Sequence, residues 1–340
     1  TLSFFFVNYV NIVIRPHWLA APAAKENFML DVTKSGIRNW KPDALPDLSG
    51  KLYVITGGNS GIGLDAARML AAKGADIVIA GRNQEKITTA AAALQGGATG
   101  TIDTVQLDLS DLSNVRAAAE TVRSRYDKID GLIDNAGIMQ TPETRTVDGY
   151  ELQLATNHLG HFLWAGLLFD LVEKAEGRIV TVSSIAHKFG TIFTDDLMLE
   201  KSYSPTQAYG QSKLANMLFG LELHRRLAAK GSAVRSIVCH PGYSNTALQD
   251  TGPSGAFNLL CKFLNPLMAQ PSALGAIPTV LAAAGEEAQS GAYYGPPGWG
   301  DARGPVGDSQ VAMRGRNAER AQWLWDESER LVDFTWDALA

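Results

Sequence analysis

Between Lys51 and Gly242, short apolar runs alternate with stretches of helical spacing, and this alternation leaves the chain few architectures. "KLYVIT" at 51–56, "ADIVIA" at 75–80, "IDTVQLDL" at 102–109, "IDGLIDNAG" at 129–137, "GRIVTVSS" at 177–184 and "AVRSIVCHPG" at 233–242 read as strands. "IGLDAARMLAAKG" at 62–74, the Ala-rich 83–95 and the stretches around 150–173 and 207–230 read as helices. Strands that are apolar throughout must be covered on both faces, which requires a parallel sheet with helices on each side. The expected fold is α/β: a doubly wound parallel sheet of about seven strands in a single domain, spanning 48–297. Residues 1–47 and 298–340 are extensions, the latter a Gly-, Pro- and Asp-rich loop over 296–310 leading to an amphipathic helix around 314–336.

Composition excludes several function classes. With 46% hydrophobic and 19% charged residues and a formal net charge of −5, the chain is ordinary globular protein without the basic stretch that nucleic-acid binding needs. Its two cysteines, Cys239 and Cys261, make no disulfide framework, and Cys239 sits in an apolar run as a buried thiol, which suits a reducing, cytoplasmic setting. "LSFFFVNYVNIVI" near the N-terminus is too short and too polar to span a membrane, which takes about 20 apolar residues. It also lacks the basic flank and cleavage site of a signal peptide. Met29 reads as a natural start, with 1–28 foreign to the fold; the rival reading is a weak anchor at a membrane surface.

"TGGNSGIG" at 56–63 falls right after a strand and opens a helix, the context a dinucleotide-binding turn requires. Gly57 permits the tight turn, Gly61 admits a pyrophosphate and Gly63 allows close helix–strand packing, while the helix N-terminus offers free N–H groups to the phosphates. The sheet is thus expected to be Rossmann-type. At the second strand end an NAD site wants a carboxylate for the ribose 2′-OH. Here "IAGRN" puts Gly81 and then Arg82, which favours NADP(H) over NAD(H) through charge-assisted bonds to a 2′-phosphate; otherwise Arg82 is a solvated surface arginine.

Six motifs in order now carry a resemblance: TGxxxGxG at 56–63, "DL" at 108–109, "NAG" at 135–137, "TVSS" at 181–184, Tyr209-x3-Lys213 and "HPG" at 240–242. The chain resembles the short-chain dehydrogenases/reductases over about residues 48–295. "NHLGHFLW" at 157–164, "SSIAHKFG" at 183–190, "EKSYS" at 200–204 and "AYGQSKLANMLF" at 208–219 resemble the branch of retinol dehydrogenases and light-dependent protochlorophyllide reductases. The cysteine-bearing active-site region of the latter is missing, which argues against photochemistry.

A tyrosine titrating near pH 10 needs help to act as an acid or base at neutral pH. Tyr209 and Lys213, at i and i+4, share a helix face, where the ammonium would favour the phenolate; taken alone, Tyr209 could equally be a packing residue. The resemblance implies the catalytic set Asn157, Ser184, Tyr209 and Lys213, with Ser183 the less favoured serine and Asn157 supporting a water chain to the lysine. It implies cofactor contacts from Thr56, Gly57, Asn59, Ser60, Gly61, Ile62, Gly63, Arg82, Asp108, Leu109, Asn135, Ala136, Gly137, Tyr209, Lys213, Pro241, Gly242 and Thr246. For Asp108, read as the adenine contact, a helix N-cap is the rival role. His158, His161 and His187 have no metal spacing and read as structural. Asp134 departs from the usual asparagine, a strand-end change that adds a carboxylate near the cofactor. Ser184 also lies further ahead of Tyr209 than in the shortest members, which widens the mouth.

Substrate contacts are expected from Ser184, Tyr209, Tyr243, Phe257 and Leu260, the last two in a lid over 247–272. That lid has an apolar face and Lys262 as its one basic residue, which suits a hydrophobic alcohol and its aldehyde or ketone; the same face could be core or a dimer contact. Two rivals remain. Sugar-nucleotide epimerases and dehydratases share the tyrosine and lysine but usually carry TGxxGxxG. A non-catalytic NADP(H) sensor or scaffold would typically lose the tyrosine or lysine. A homodimer through the 150–173 and 207–230 helices is a further expectation, as is peripheral membrane association.

Overall fold

The structure, a computed structural model, describes residues 29–243, 270–298 and 300–339. Seven parallel strands are followed in the sheet by an antiparallel edge strand, one more than the sequence suggests. They are β1 (Leu52–Thr56), β2 (Asp76–Gly81), β3 (Ile102–Gln106), β4 (Gly131–Asp134), β5 (Arg178–Val182), β6 (Arg235–Cys239), β7 (Tyr293–Gly295) and β8 (Gly307–Asp308). Their order is β3-β2-β1-β4-β5-β6-β7-β8, with β8 antiparallel to β7. Strand order therefore reverses between β1 and β4, and ligands of such sheets bind outside the carboxyl ends of the strands at this switch point.

Successive residues of β1 explain its unbroken apolar run. Tyr53 and Ile55 enter one core, with α1 (Gly61–Ala71), α2 (Gln84–Gln95) and α6 (Ser272–Ala284). Leu52 and Val54 enter the other, with α3 (Leu112–Arg123), α4 (Gly160–Lys174), α5 (Pro205–Lys230) and α7 (Ala318–Val332). Each such aliphatic side chain contributes roughly 1.5–3 kcal/mol when fully buried. β3 breaks the expectation of strands apolar throughout. It forms the other sheet edge, so Asp103 and Gln106 reach solvent.

Residues 29–47 and the C-terminal extension are woven into this body. Trp40 N donates to Val306 O (3.0 Å), Gly36 N to Asp308 Oδ2 (2.8 Å) and Arg316 Nε to Leu30 O (3.0 Å). The C-terminal helix, shorter than expected, follows a 3₁₀ turn at Met313–Arg316. It lies on α5 and α4, where Trp325 and Trp336 interlock with Phe162 and Phe219, and Arg226 stacks 4.3 Å over Trp325. These aromatics are buried, so this part of the face expected to serve a dimer is filled by the chain's own C-terminus. No helix among the described residues is long and apolar enough to cross a membrane.

Candidate active site

A cleft of about 560 Å³ opens at the carboxyl ends of the central strands. Its phosphate end is built of backbone. Gly57 has φ +67°, and a Cβ there would lie 3.0 Å from Ala136 Cα; at Gly63 it would lie 2.5 Å from Gly57 O, a contact no side chain tolerates. Asn83 caps α2 and Asp111 caps α3, but Ser60 makes no side-chain cap on α1. The first-turn amides of α1 thus border the cleft without a capping oxygen, beside Gly57, Asn59, Ser60, Gly61, Ile62 and Gly63. A helix start in that state suits a pyrophosphate, and these residues fit a dinucleotide. Thr56 is fully buried and supports the turn from behind. Its hydroxyl accepts from the Asn135 and Ala136 amides, both at 2.9 Å, and Asn135 Nδ2 reaches back to Thr56 O (2.8 Å).

Arg82, the expected 2′-phosphate contact, is exposed just beyond β2 and is not among the cleft's lining residues, and its guanidinium has no ion-pair partner among the described residues. Gly81 beside it packs against Asn59, whose Oδ1 would lie 3.0 Å from an added Cβ. The N-cap of α3 is Asp111 and not Asp108. Asp108 Oδ1 instead accepts from the Ser110 amide (2.9 Å) and hydroxyl (2.6 Å). Leu109 is a core residue away from the cleft, with its carbonyl against the start of α4.

The chemical end is built of side chains from distant elements. The two serines that follow β5 both border the cleft but divide their work: Ser183 is buried, its hydroxyl donating to Lys213 O (2.7 Å), whereas Ser184 is half-buried. Ser184 Oγ accepts from Ala186 N (3.2 Å), which leaves its own hydrogen available beside Tyr209 on the cleft wall. Burial pushes the Tyr209 phenol above its usual value, and the neighbouring Ser184 hydroxyl pulls it partly back. Lys213, one helical turn on in α5, donates from Nζ to Val182 O (3.0 Å), and burial pushes its ammonium down to about 8. Gly137 packs beside it, and a Cβ there would meet Nζ at 3.5 Å, an ordinary contact.

Asn157 stands behind this wall, fully buried, in a π-helical turn (Ala155–Leu159) that interrupts the helix expected over 150–173. A π turn inserts an extra residue and often marks a functional site. Asn157 Oδ1 accepts from Ile138 N (2.8 Å), while Nδ2 reaches Ile138 O and Ser212 Oγ (2.9 Å each). His161 Nδ1 donates to Asn157 O (3.0 Å) and Nε2 accepts from the Thr56 hydroxyl (2.8 Å), so one buried histidine ties the π turn to the glycine turn. His158 similarly meets Ser328 of α7 (2.9 Å), and burial holds both imidazoles down to about 3. Asp134, at the tip of β4, is 1% exposed and neither carboxyl oxygen has a hydrogen-bond partner among the described residues, so burial raises it well above the usual carboxylate range.

Pro241, Gly242 and Tyr243 also line the cleft, and Gln270 Nε2 donates to Pro241 O (2.7 Å). Thr246, Phe257, Leu260 and the expected lid up to residue 269 lie outside the described residues. Lining residues that motif reading passed over are Ile138, Met139 and Gln140 after "NAG", Ile185, Ala186 and Phe189 after the serines, and Thr206. Thr206 is three residues before Tyr209 on α5, so helical spacing alone could have found it.

The family model for short chain dehydrogenases matches residues 51–255. Human retinol dehydrogenase 12 is 36% identical over 324 residues, covering 94% of this chain and 95% of its own. Human retinol dehydrogenase 13 is 38% identical over 300 residues, covering 84% and 85%. A crystal structure of an uncharacterised protein from Mycobacterium paratuberculosis superposes with a TM-score of 0.74 at 38% identity, covering 88% of this chain and 99% of that one.

Proposed function

The chain belongs to the short-chain dehydrogenases/reductases, in the retinol dehydrogenase branch, and is therefore a nicotinamide-dependent oxidoreductase of alcohols and carbonyls; on that premise we propose that it uses NADP(H) to interconvert a hydrophobic alcohol and its aldehyde or ketone, with Tyr209 as the acid/base. The Ser184 and Tyr209 side chains, which line the same open cleft with Lys213 one turn behind, carry the reading. In reduction the Ser184 hydroxyl turns from Tyr209 to the substrate oxygen, and the phenol donates its proton to that same oxygen as negative charge develops there. Bound NADPH supplies the hydride. A phenol raised by burial keeps its proton across the neutral range, which suits the reductive direction. In oxidation Tyr209 must first lose that proton, and a charged Lys213 ammonium favours the loss.

Exposed Arg82, with glycine in place of a carboxylate at 81, supports NADP(H). Ile138, Met139, Ile185, Ala186 and Phe189 line the cleft's outer part and support an apolar substrate, a retinoid among them by likeness to the relatives' names. The test is NADPH consumption against a panel of hydrophobic aldehydes and ketones, with NADH in parallel and Tyr209→Phe beside wild type. Turnover with NADPH that vanishes in the variant is expected. Tight NADPH binding without turnover across the panel would point instead to a sensor.

A further inference from the structure

Two buried histidines flank the nicotinamide end of the cleft and have no part in the chemistry above. His187 lies in the 3₁₀ turn Ile185–Lys188 that Ser184 begins, and His240 ends β6 just before Pro241 and Gly242. Both are 0% exposed. His187 Nδ1 donates to Ser184 O (2.7 Å) and Nε2 accepts from Ala312 N (3.2 Å). His240 adopts the opposite tautomer: Nδ1 accepts from Gly242 N (3.2 Å) and Nε2 donates to Ser309 Oγ (3.0 Å). A carbonyl can only accept and an amide N–H can only donate, so each ring is fixed as a neutral imidazole with no nitrogen left over. Burial favours the same neutral forms, lowering His187 and holding His240 to about 3.

The outer partners of the two rings, Ser309 and Ala312, belong to one C-terminal stretch that follows β8. Tyr293 of β7 stands between the rings, its centroid 5.4 Å from His187 and 4.9 Å from His240. Ser309 N donates to Tyr293 O (2.8 Å), which fixes that stretch on the sheet. Two further ties connect it and the preceding loop to the serine turn: Arg314 donates to Gly190 O (2.6 Å), and Lys188 pairs with the buried Asp301.

We propose that His187 and His240 are positioning residues that hang both walls of the reaction site, the Ser184 turn and the Pro241–Gly242 turn, from the single segment 309–312. The C-terminal extension thereby sets where the Ser184 hydroxyl sits relative to Tyr209. This rests on the oxidoreductase reading above for its consequence, not for its geometry.

Three measurements test it on the full chain. Imidazole ¹⁵N spectra of wild type should show His187 protonated on Nδ1 and His240 on Nε2 at neutral pH; equal tautomers, or a charged ring, would overturn the anchoring. His187→Asn keeps a donor near Ser184 O and His187→Gln keeps an acceptor near Ala312 N, so each severs one half of the bridge. Both should lower kcat by about tenfold or more, as small misplacements of a reacting group do, with the NADPH Kd within about twofold of wild type. Amide exchange should quicken together at 185–190 and 312–316 and stay unchanged in β1 and β4. Turnover within twofold of wild type, or exchange that rises throughout the sheet or in one of the two segments alone, counts against the proposal. His240→Gln provides the same comparison for 241–243 should the His187 variants not fold. A wild type inactive on every substrate defeats the oxidoreductase reading, while the exchange pattern still decides the anchoring.

Discussion

The two ends of the cleft are made differently. The phosphate end is one contiguous octapeptide, Thr56–Gly63, working through backbone amides and the absence of side chains. The chemical end gathers Ser184 from the end of β5, Tyr209 and Lys213 from α5 and, behind them, Asn157 from a π turn. Buried polar atoms of widely separated segments lock it in place. A site of the first kind fails when atoms are added, and one of the second when atoms are removed or shifted.

The sharpest way to break this contrast is to damage each end and ask which function goes. Tyr209→Phe removes one oxygen and should lower kcat by roughly 10²–10⁴-fold, the usual worth of a general acid, with NADPH affinity unchanged in a fluorescence titration. Gly63→Ala adds one carbon against Gly57 O and should do the reverse. Strain of about 1–3 kcal/mol at the phosphate turn should appear as weaker NADPH binding and a lower Tm, with residual turnover at saturating cofactor. Matching losses of binding in both variants would mean that the two ends are not separable.

The serine pair sharpens the contrast within one end. Ser184→Ala should lower kcat about 10²-fold, the scale for losing one donor to a developing oxyanion. Ser183→Ala deletes a buried bond to Lys213 O and should instead cost about 1 kcal/mol of stability in denaturant titration. Equal kinetic losses in the two variants would assign the substrate hydroxyl to neither.

The same difference governs what could be read from sequence. Contiguous glycines between an apolar run and a helix specify a turn by local stereochemistry, so the glycine turn and the parallel core were legible. The i, i+4 pair of Tyr209 and Lys213 was legible for the same reason. What stayed hidden depends on contacts across long stretches of chain. His187 and His240 looked alike as histidines, and only Ala312 and Ser309, far along the chain, give them opposite tautomers. Asp108 read as a possible cap, and the geometry gives the cap to Asp111, three residues on. The π turn at Asn157 has no periodicity that separates it from an ordinary helix. The burial of Trp325 and Trp336 against α4 and α5 likewise has no local sign.

Cofactor choice falls between the two ends. Removing the Arg82 guanidinium should weaken NADPH roughly 10- to 100-fold, the range of one charge-assisted hydrogen bond, and leave NADH untouched. The ratio of kcat/KM values for the two cofactors in Arg82→Ala measures this directly. An unchanged ratio would make Arg82 a solvated surface residue.

The smallest expected effect is in stability and concerns Asp134, which lies beneath the cleft and belongs to neither mode of construction. Its carboxyl group is buried, unpartnered and raised well above the ordinary range, whereas in the unfolded chain it titrates near 3.9. Between those two values the folded protein holds a proton that the unfolded chain releases, so folding stability falls as pH rises through the unfolded value and keeps falling until the folded value is reached. Asp134→Asn removes the titration without removing the shape. The variant should therefore gain on wild type from acid to neutral pH: near pH 4 the two melting curves converge, and by pH 8 the variant should melt higher, by about 1.4 °C for each kcal/mol gained in a chain of this size. Thermal melts across that pH range decide it. A gap that stays constant with pH would mean that Asp134 has found a charged partner or a route to water, and that the floor of the cleft is wetter than its packing implies.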